Sequence, residues 1–396
     1  MARDLKPERI ERVVVRGANW VGDAVMTVPA LRELRRVLPR ARVTLATRPW
    51  AEGIFAGADF VDDLLIVGDG RGARGFFGQV SAWRARRFDL AILLPNAFAP
   101  ALVAAAARVP FRLGYRADGR GPLLTHAVPL PEWRGRRHEV FYYLNLVAEL
   151  ERALVGATTA GERAPRPELR VSDARKAGAG EILRSRGFAG AGPLVALCPG
   201  STNSRAKRWP AERFAALADR LIEETGAQVL LVGAREELDV TREVVAGMRR
   251  KPVVLTGETD LAQSAAVLSL ADLVVTNDTG PAHLAAALGR PTLVIFGPTN
   301  PTTTRPFAES AEIVRRPPDC APCMLRDCPI DHRCMTAITP EEVFTRSLAL
   351  LGRASLESGT QNSAGAKVPA KVSNAASASD AATASDATAR KLEAVR

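Results

Sequence analysis

Leu273-Val274-Val275-Thr276-Asn277-Asp278-Thr279-Gly280-Pro281-Ala282-His283 runs from an uninterrupted apolar segment straight into a helix start. Residues 273–276 show no polar alternation, the pattern of a parallel strand covered on both faces. Thr279 is a capping residue type, Pro281 suits a first helical turn, and the Ala-rich stretch 282–288 continues the helix. The same alternation recurs outward from this point. Residues 194–197, 229–232, 253–255 and 292–296 read as further buried strands, and 13–15, 43–46, 64–67 and 90–94 repeat the pattern in the first half. Residues 24–38 read as a helix between the first two strands, and 174–186 as another. The clearest helix follows Pro210, with Phe214, Leu217, Ala218 and Leu221 on one face and Gly226 as its stop. Alternating strands and helices predict α/β architecture with parallel sheets and right-handed crossovers.

The chain has 396 residues, enough for two domains. A Gly-, Ala-, Arg- and Pro-rich stretch between Glu151 and Gly192 places the division there. The expectation is a Rossmann-like domain over 1–170 and a second over 171–354, doubly wound and facing each other across a cleft. The segment 355–396 is dominated by Ala, Ser, Thr and Asp, and reads as a disordered tail.

The net charge of +11 favours a polyanionic partner: nucleic acid, an acidic lipid surface or a phosphorylated substrate. An Arg-rich composition by itself produces the same balance. The charged N-terminus lacks the apolar centre of a signal peptide. The longest uncharged stretch, 90–107, is broken by Pro95, Asn96 and Pro100, so it reads as strand, loop and helix rather than a membrane span. The five cysteines, odd in number, then read as reduced thiols in the cytoplasm.

Three loops carry chemistry. Asp278, Thr279, Gly280 and His283 lie where amides at a helix start favour a phosphate, although a plain capped helix fits as well. The segment Cys198-Pro199-Gly200-Ser201-Thr202-Asn203-Ser204-Arg205-Ala206-Lys207-Arg208-Trp209-Pro210 sets hydroxyls and three cations at a strand end, which suits a pyrophosphate. Arg16-Gly17-Ala18-Asn19-Trp20-Val21-Gly22-Asp23 joins the first strand to the first helix. Asp23 there is either an N-cap or a general base whose basicity the helix dipole lowers.

Gly70-Arg71-Gly72-Ala73-Arg74-Gly75 matches a dinucleotide fingerprint, but it follows the third strand and lacks the acidic residue about 20 positions on, so it reads as a flexible basic loop. Cys320, Cys323, Cys328 and Cys334 fit either a structural zinc or a tight loop of silent thiols. Scattered basic residues of the first half, Arg112, Arg116, Arg120, Arg134, Arg136, Arg137 and His138, suit an anionic acceptor or simply a solvated surface.

At Gly17–Asp23 (17–23), at 198–210, and at 277–283 with Phe296-Gly297-Pro298-Thr299, the chain resembles the ADP-heptose:lipopolysaccharide heptosyltransferases of glycosyltransferase family 9. The Cys-x-x-Cys loop ending in His332-Arg333-Cys334-Met335 is similar to that of the type II enzymes. The resemblance spans about residues 12–350. It implies a GT-B fold and inverting transfer of heptose from ADP-heptose to an anionic, lipid-linked inner-core acceptor. No cofactor and no metal would be needed, and the enzyme would be cytoplasmic with peripheral contact at the inner membrane. Asp23 would be the general base. Ser201, Thr202 and Lys207 would meet the phosphates; Asp278, Thr279, Gly280 and His283 would hold diphosphate and heptose; Glu237 or Glu236 would contact the ribose. Arg116, Arg120 and Arg136 would face the acceptor. A type I heptosyltransferase, another nucleotide-sugar enzyme of this fold, and a basic nucleic-acid-binding protein remain as alternatives. No nucleic-acid motif supports the last.

Overall fold

In the computed structural model, which describes residues 7–68, 72–188 and 190–363, two six-stranded parallel sheets follow one another along the chain. The first contains β1 (Arg12–Arg16), β2 (Arg42–Thr47), β3 (Asp63–Ile66), β4 (Leu90–Leu93), β5 (Phe111–Tyr115) and β6 (His126–Val128), in the order β3-β2-β1-β4-β5-β6. The second contains β7 (Leu194–Cys198), β8 (Gln228–Leu231), β9 (Val253–Val254), β10 (Leu273–Asn277), β11 (Thr292–Phe296) and β12 (Ala311–Arg315), in the order β12-β11-β10-β7-β8-β9. Counted within each half, both orders are 3-2-1-4-5-6. The strand order therefore reverses between β1 and β4, and again between β7 and β10, and the crevice at the carboxyl ends of those strands is where such sheets bind ligands.

The central strands are buried throughout: Val13, Val14 and Val15 in β1, Leu194 to Cys198 in β7, and Leu273 to Asn277 in β10. Sequence reasoning finds these because burial on both faces removes every polar residue from the run. It misses β5, β6 and β12, which lie towards the sheet edges, are short or half-exposed, and mix Arg, His and Glu with apolar residues.

The helix after Pro210 forms as expected, Ala211–Thr225, with Phe214, Leu217 and Leu221 fully buried and Gly226 left-handed at φ 66°. Burying each of those three side chains contributes roughly 1.5–3 kcal/mol. The helix expected over 24–38 is two helices, Val21–Met26 and Val28–Val37. Pro29 has no N–H for the carbonyl four residues back, which breaks the ladder at Thr27. The basic loop expected at 70–75 is also revised. Residues 69–71 lie outside the described ones, and Gly72–Arg86 is a helix packed through Val80 and Trp83.

The helix Glu139–Val155 packs on Val28–Val37 beside the first sheet, and Asp173–Ser185 packs on Leu261–Leu268 beside the second. The final helix, Pro340–Ser363, runs past the expected domain end at 354. The rest of the tail, 364–396, lies outside the described residues. No helix among the described residues is long and apolar enough to cross a membrane.

Candidate active site

The loops after β7 and β10 form one wall. Asn277, at the end of β10, is fully buried; its amide donates to the Pro199 carbonyl at 2.8 Å, and its side-chain oxygen accepts from the Trp209 N–H at 3.0 Å. That residue locks the β7 loop in place. Beside it the Asp278 carboxylate, 3% exposed, meets the Lys207 ammonium at 3.0 Å and accepts a 2.5 Å hydrogen bond from the Thr299 hydroxyl. Lys207 also donates to the Asp278 carbonyl at 3.0 Å. Asp278 thus faces Lys207 and Thr299, and its place in the wall is that of a counter-ion holding the cation in one rotamer.

Glu236 and Glu237, both after β8, stand differently in the structure. Glu236 is exposed, whereas Glu237 is 9% exposed and lies against the β7 loop. Its carboxylate accepts from the Ala234 amide at 2.9 Å and from the Thr202 hydroxyl at 3.2 Å. A Cβ on Gly200 would lie 2.2 Å from the Glu237 carboxyl carbon, so glycine is required there for the carboxylate to reach the strand end. Burial raises the Glu237 pKa, and the Ala234 and Thr202 hydrogen bonds pull it back. An acidic group at the end of the second strand of a 3-2-1-4-5-6 sheet is the usual acceptor for ribose hydroxyls.

The opposite wall is the loop after β1. Arg16, 7% exposed, folds back onto the Gly17 carbonyl and donates to the Asn19 side chain at 2.8 Å, holding the loop. Burial lowers its pKa to about 10. Trp20, not Asp23, is the N-cap of Val21–Met26, and its side chain is 56% exposed. Asp23 sits one turn in and is half-buried, and among the described residues no hydrogen bond engages its carboxylate. Burial raises its pKa, opposed by the charge of Lys207 from the other wall. The direction is upward, against the lowering expected from the helix start, and burial is its cause.

The walls touch. A Cβ on Gly22 would stand 2.8 Å from His283 Cδ2, and a Cβ on Gly280 would stand 2.8 Å from Val21 Cβ. Helices Val21–Met26 and Gly280–Ala287 therefore meet glycine to side chain in both directions, placing Asp23 within electrostatic reach of Lys207.

Comparison with known proteins gives the same picture. The profile of glycosyltransferase family 9 (heptosyltransferase) matches residues 80–333. The chain belongs to this family. It is 30% identical over 361 residues to lipopolysaccharide heptosyltransferase 2 of Escherichia coli, covering 86% of this chain and 98% of that one. It is 30% identical over 322 residues to the Salmonella typhimurium enzyme of the same name, covering 77% and 88%. The solved structure of E. coli ADP-heptose lipopolysaccharide heptosyltransferase II superposes with a TM-score of 0.73 at 27% identity, covering 87% of this chain and all of that one. The two facing doubly wound sheets are the GT-B fold of the family.

Several residues singled out in this family's pattern stand differently from expectation. Thr279 occupies the N-cap of its helix, but its hydroxyl makes no capping hydrogen bond and donates instead to the Asn277 carbonyl at 3.3 Å. Gly280 is explained by the close approach of Val21. His283 is 6% exposed, its Nδ1 is buried without a partner, and burial lowers its pKa to about 4, so at neutral pH it is an uncharged ring wedged on Gly22. Of the three cations in the β7 loop, Lys207 pairs with Asp278, Arg205 with Asp327 at 2.7 Å and Arg208 with Asp239 at 3.1 Å. Ser201 is buried, with its carbonyl accepting from Arg208, while Thr202 is exposed.

On the acceptor side Arg120 is a structural residue, fully buried and donating to the carbonyls of Tyr115 and Pro95. His138 is also internal, accepting from the Val140 N–H and donating from Nε2 to the Arg305 carbonyl at 2.7 Å. Arg116 and Arg136 are exposed. Sequence reasoning missed Glu139 and Tyr143, whose acidic groups share the electrostatic surroundings of Asp23; Arg134 offsets both and stacks over Tyr142 at 5.0 Å. Charge next to the His138 cap was their only signal.

The cysteine loop has a mechanical role. His332 donates to the Ala206 carbonyl at 2.7 Å, and the Arg326 carbonyl accepts from the Ala206 N–H at 2.9 Å and from the Ser204 hydroxyl at 3.2 Å, so residues 320–334 brace the Lys207 loop. Cys334 is buried and its thiol pKa is pushed up to about 11. No group of three or more His, Cys, Asp or Glu among the described residues is arranged to hold a metal.

Proposed function

We propose that this protein transfers L-glycero-D-manno-heptose from ADP-heptose, with inversion and without a metal, to the lipopolysaccharide inner core as a type II heptosyltransferase adding the second heptose. The observation that carries this reading is Asp23, a carboxylate without a hydrogen bond among the described residues, within electrostatic reach of Lys207, which pairs with Asp278, at the strand-order reversals of the two sheets. Relatives at 30% identity bearing the heptosyltransferase 2 name support the sugar and the acceptor.

In this scheme Glu237 and Thr202 take the ribose hydroxyls, and Lys207 lies beside the diphosphate. Asp23 removes the proton from the acceptor hydroxyl, whose oxygen attacks the anomeric carbon from the face opposite ADP. Negative charge then grows on the departing diphosphate, where Lys207, fixed by Asp278 and Thr299, needs no reorganisation to meet it. A raised Asp23 pKa makes it a better proton acceptor than a solvated carboxylate. The exposed Trp20 indole offers a flat face to an acceptor sugar beside the base. The enzyme would work in the cytoplasm, in peripheral contact with the membrane that carries its acceptor.

The test is transfer from ADP-heptose to a core acceptor carrying one heptose, in excess chelator, with UDP-sugars as competitors. Full turnover that UDP-sugars do not inhibit is expected. Preference for an acceptor lacking heptose would reassign the chain to the first transfer. Inhibition by UDP-sugars would point to a different donor.

A further inference from the structure

The carboxyl edge of the first sheet carries more exposed apolar surface than the transfer reaction uses. After β4 the chain runs Ala97-Phe98-Ala99-Pro100-Ala101-Leu102, without a charge, into helix Phe98–Ala106. Phe98 is 46% exposed and Leu102, one turn on, is 36% exposed. Leu130, after β6, is 40% exposed. Between them along the same edge, after β5, lies exposed Arg116, and beyond Leu130 come exposed Arg136 and Arg137. Residues 97–137 hold seven arginines against two carboxylates, Asp118 and Glu132.

Exposed apolar side chains and exposed arginines in the loops of one sheet edge are the chemistry of an interfacial anchor: the apolar side chains enter the acyl boundary while the cations meet anionic headgroups. Position argues the same way. β4 is the sheet neighbour of β1, whose loop carries Asp23, so the patch stands beside the acceptor half of the cleft. A lipid-borne sugar must reach Asp23 while its acyl chains stay in the bilayer, which favours a membrane surface near the acceptor half of the cleft.

We propose that Phe98, Leu102 and Leu130, with Arg116, Arg136 and Arg137, form the surface that docks on an anionic lipid bilayer. The inference rests on the transferase reading and adds to it the face that meets the membrane.

The experiment is co-sedimentation with phosphatidylglycerol–phosphatidylethanolamine vesicles and with neutral phosphatidylcholine vesicles, alongside turnover on a delipidated soluble acceptor. The unaltered protein is expected to bind the anionic vesicles, weakly in high salt, and to bind neutral vesicles poorly. Phe98→Ser with Leu102→Ser should lower partitioning about tenfold or more while leaving soluble-acceptor turnover unchanged. Arg116→Gln, which touches no core, should lower it by a smaller factor. Failure of the unaltered protein to bind anionic vesicles, or unchanged binding by the double variant, overturns the proposal. Self-association that the double variant abolishes, without vesicle binding, assigns the patch to a second copy and overturns it too. Absence of soluble-acceptor turnover in the unaltered protein strikes the transferase reading instead, and vesicle binding is scored independently of it.

Discussion

The two walls of the cleft share one topology and differ in how completely their polar groups are satisfied. On the second wall Asn277, Asp278, Thr299, Lys207, Thr202 and Glu237 are each engaged in hydrogen bonds or an ion pair, in or after β7, β8, β10 and β11. On the first, Arg16 secures the loop, but Asp23 has no hydrogen bond among the described residues and Trp20 stands out in solvent. The same fold has thus produced one surface with its charges fixed in advance and one with a carboxylate free to take a proton. Preorganisation favours binding and stabilising an anion, and a committed hydrogen bond would weaken a base.

The largest expected effect tests the free carboxylate. Asp23→Asn should lower kcat by about a hundredfold or more with little change in donor KM. Steady-state kinetics with both substrates varied measure this, and near-normal turnover would remove the contrast between the walls. On the fixed side, Lys207→Met should lower kcat by about a hundredfold and also lower Tm, because Asp278 loses its counter-ion. Adding Asp278→Asn should restore much of the Tm and none of the activity. If Tm and kcat recover together, Lys207 acts through structure alone.

A smaller effect is expected at Glu237→Gln, which keeps the shape and removes the charge. Donor KM should rise about tenfold with kcat within a few-fold, since ribose contacts act equally on ground and transition states. A fall in kcat at unchanged KM would place Glu237 at the chemistry instead.

The subtlest prediction concerns pH. The Asp23 pKa is raised in the fold, so its ionised form is the disfavoured one. Its contribution to stability is then best below the unfolded-state pKa and declines as pH rises through the folded-state value. Asp23→Asn should have a slightly higher Tm than the unaltered protein at pH 7, and the gap should close in acid. The acidic limb of kcat/KM should lie above the ordinary aspartate value of about 3.9. A limb at or below that value, or a lower Tm for the variant, would show that Asp23 is stabilised as an anion like the groups opposite.

Much of this was legible in the amino-acid order. Runs such as Leu273-Val274-Val275 and Leu194-Val195-Ala196-Leu197 announce buried parallel strands, because a strand covered on both faces tolerates only apolar side chains. The loops that follow them gave Asp23, Lys207 and the residues around Asp278. Individual roles were less legible. Arg116 and Arg120 look alike in sequence, yet one is exposed and the other fully buried. Gly280 reads as room for a ligand, and the structure adds that a side chain there would meet Val21. The cysteine loop leaves a structural metal or a tight thiol loop open in sequence, and its hydrogen bonds brace residues 204–207.

Local pattern determined the alternating elements, and with them two sheets and the strand ends that carry chemistry, since periodicity and capping act over a few residues. Tertiary structure alone decided that Asp278 belongs to Lys207, that Glu237 lies on Gly200, and that the Asp23 carboxylate, without a hydrogen bond among the described residues, comes within electrostatic reach of Lys207. Those relations join residues from separate strands and from both halves of the chain. Desolvation and charge depend on distance through space, which the linear order does not record.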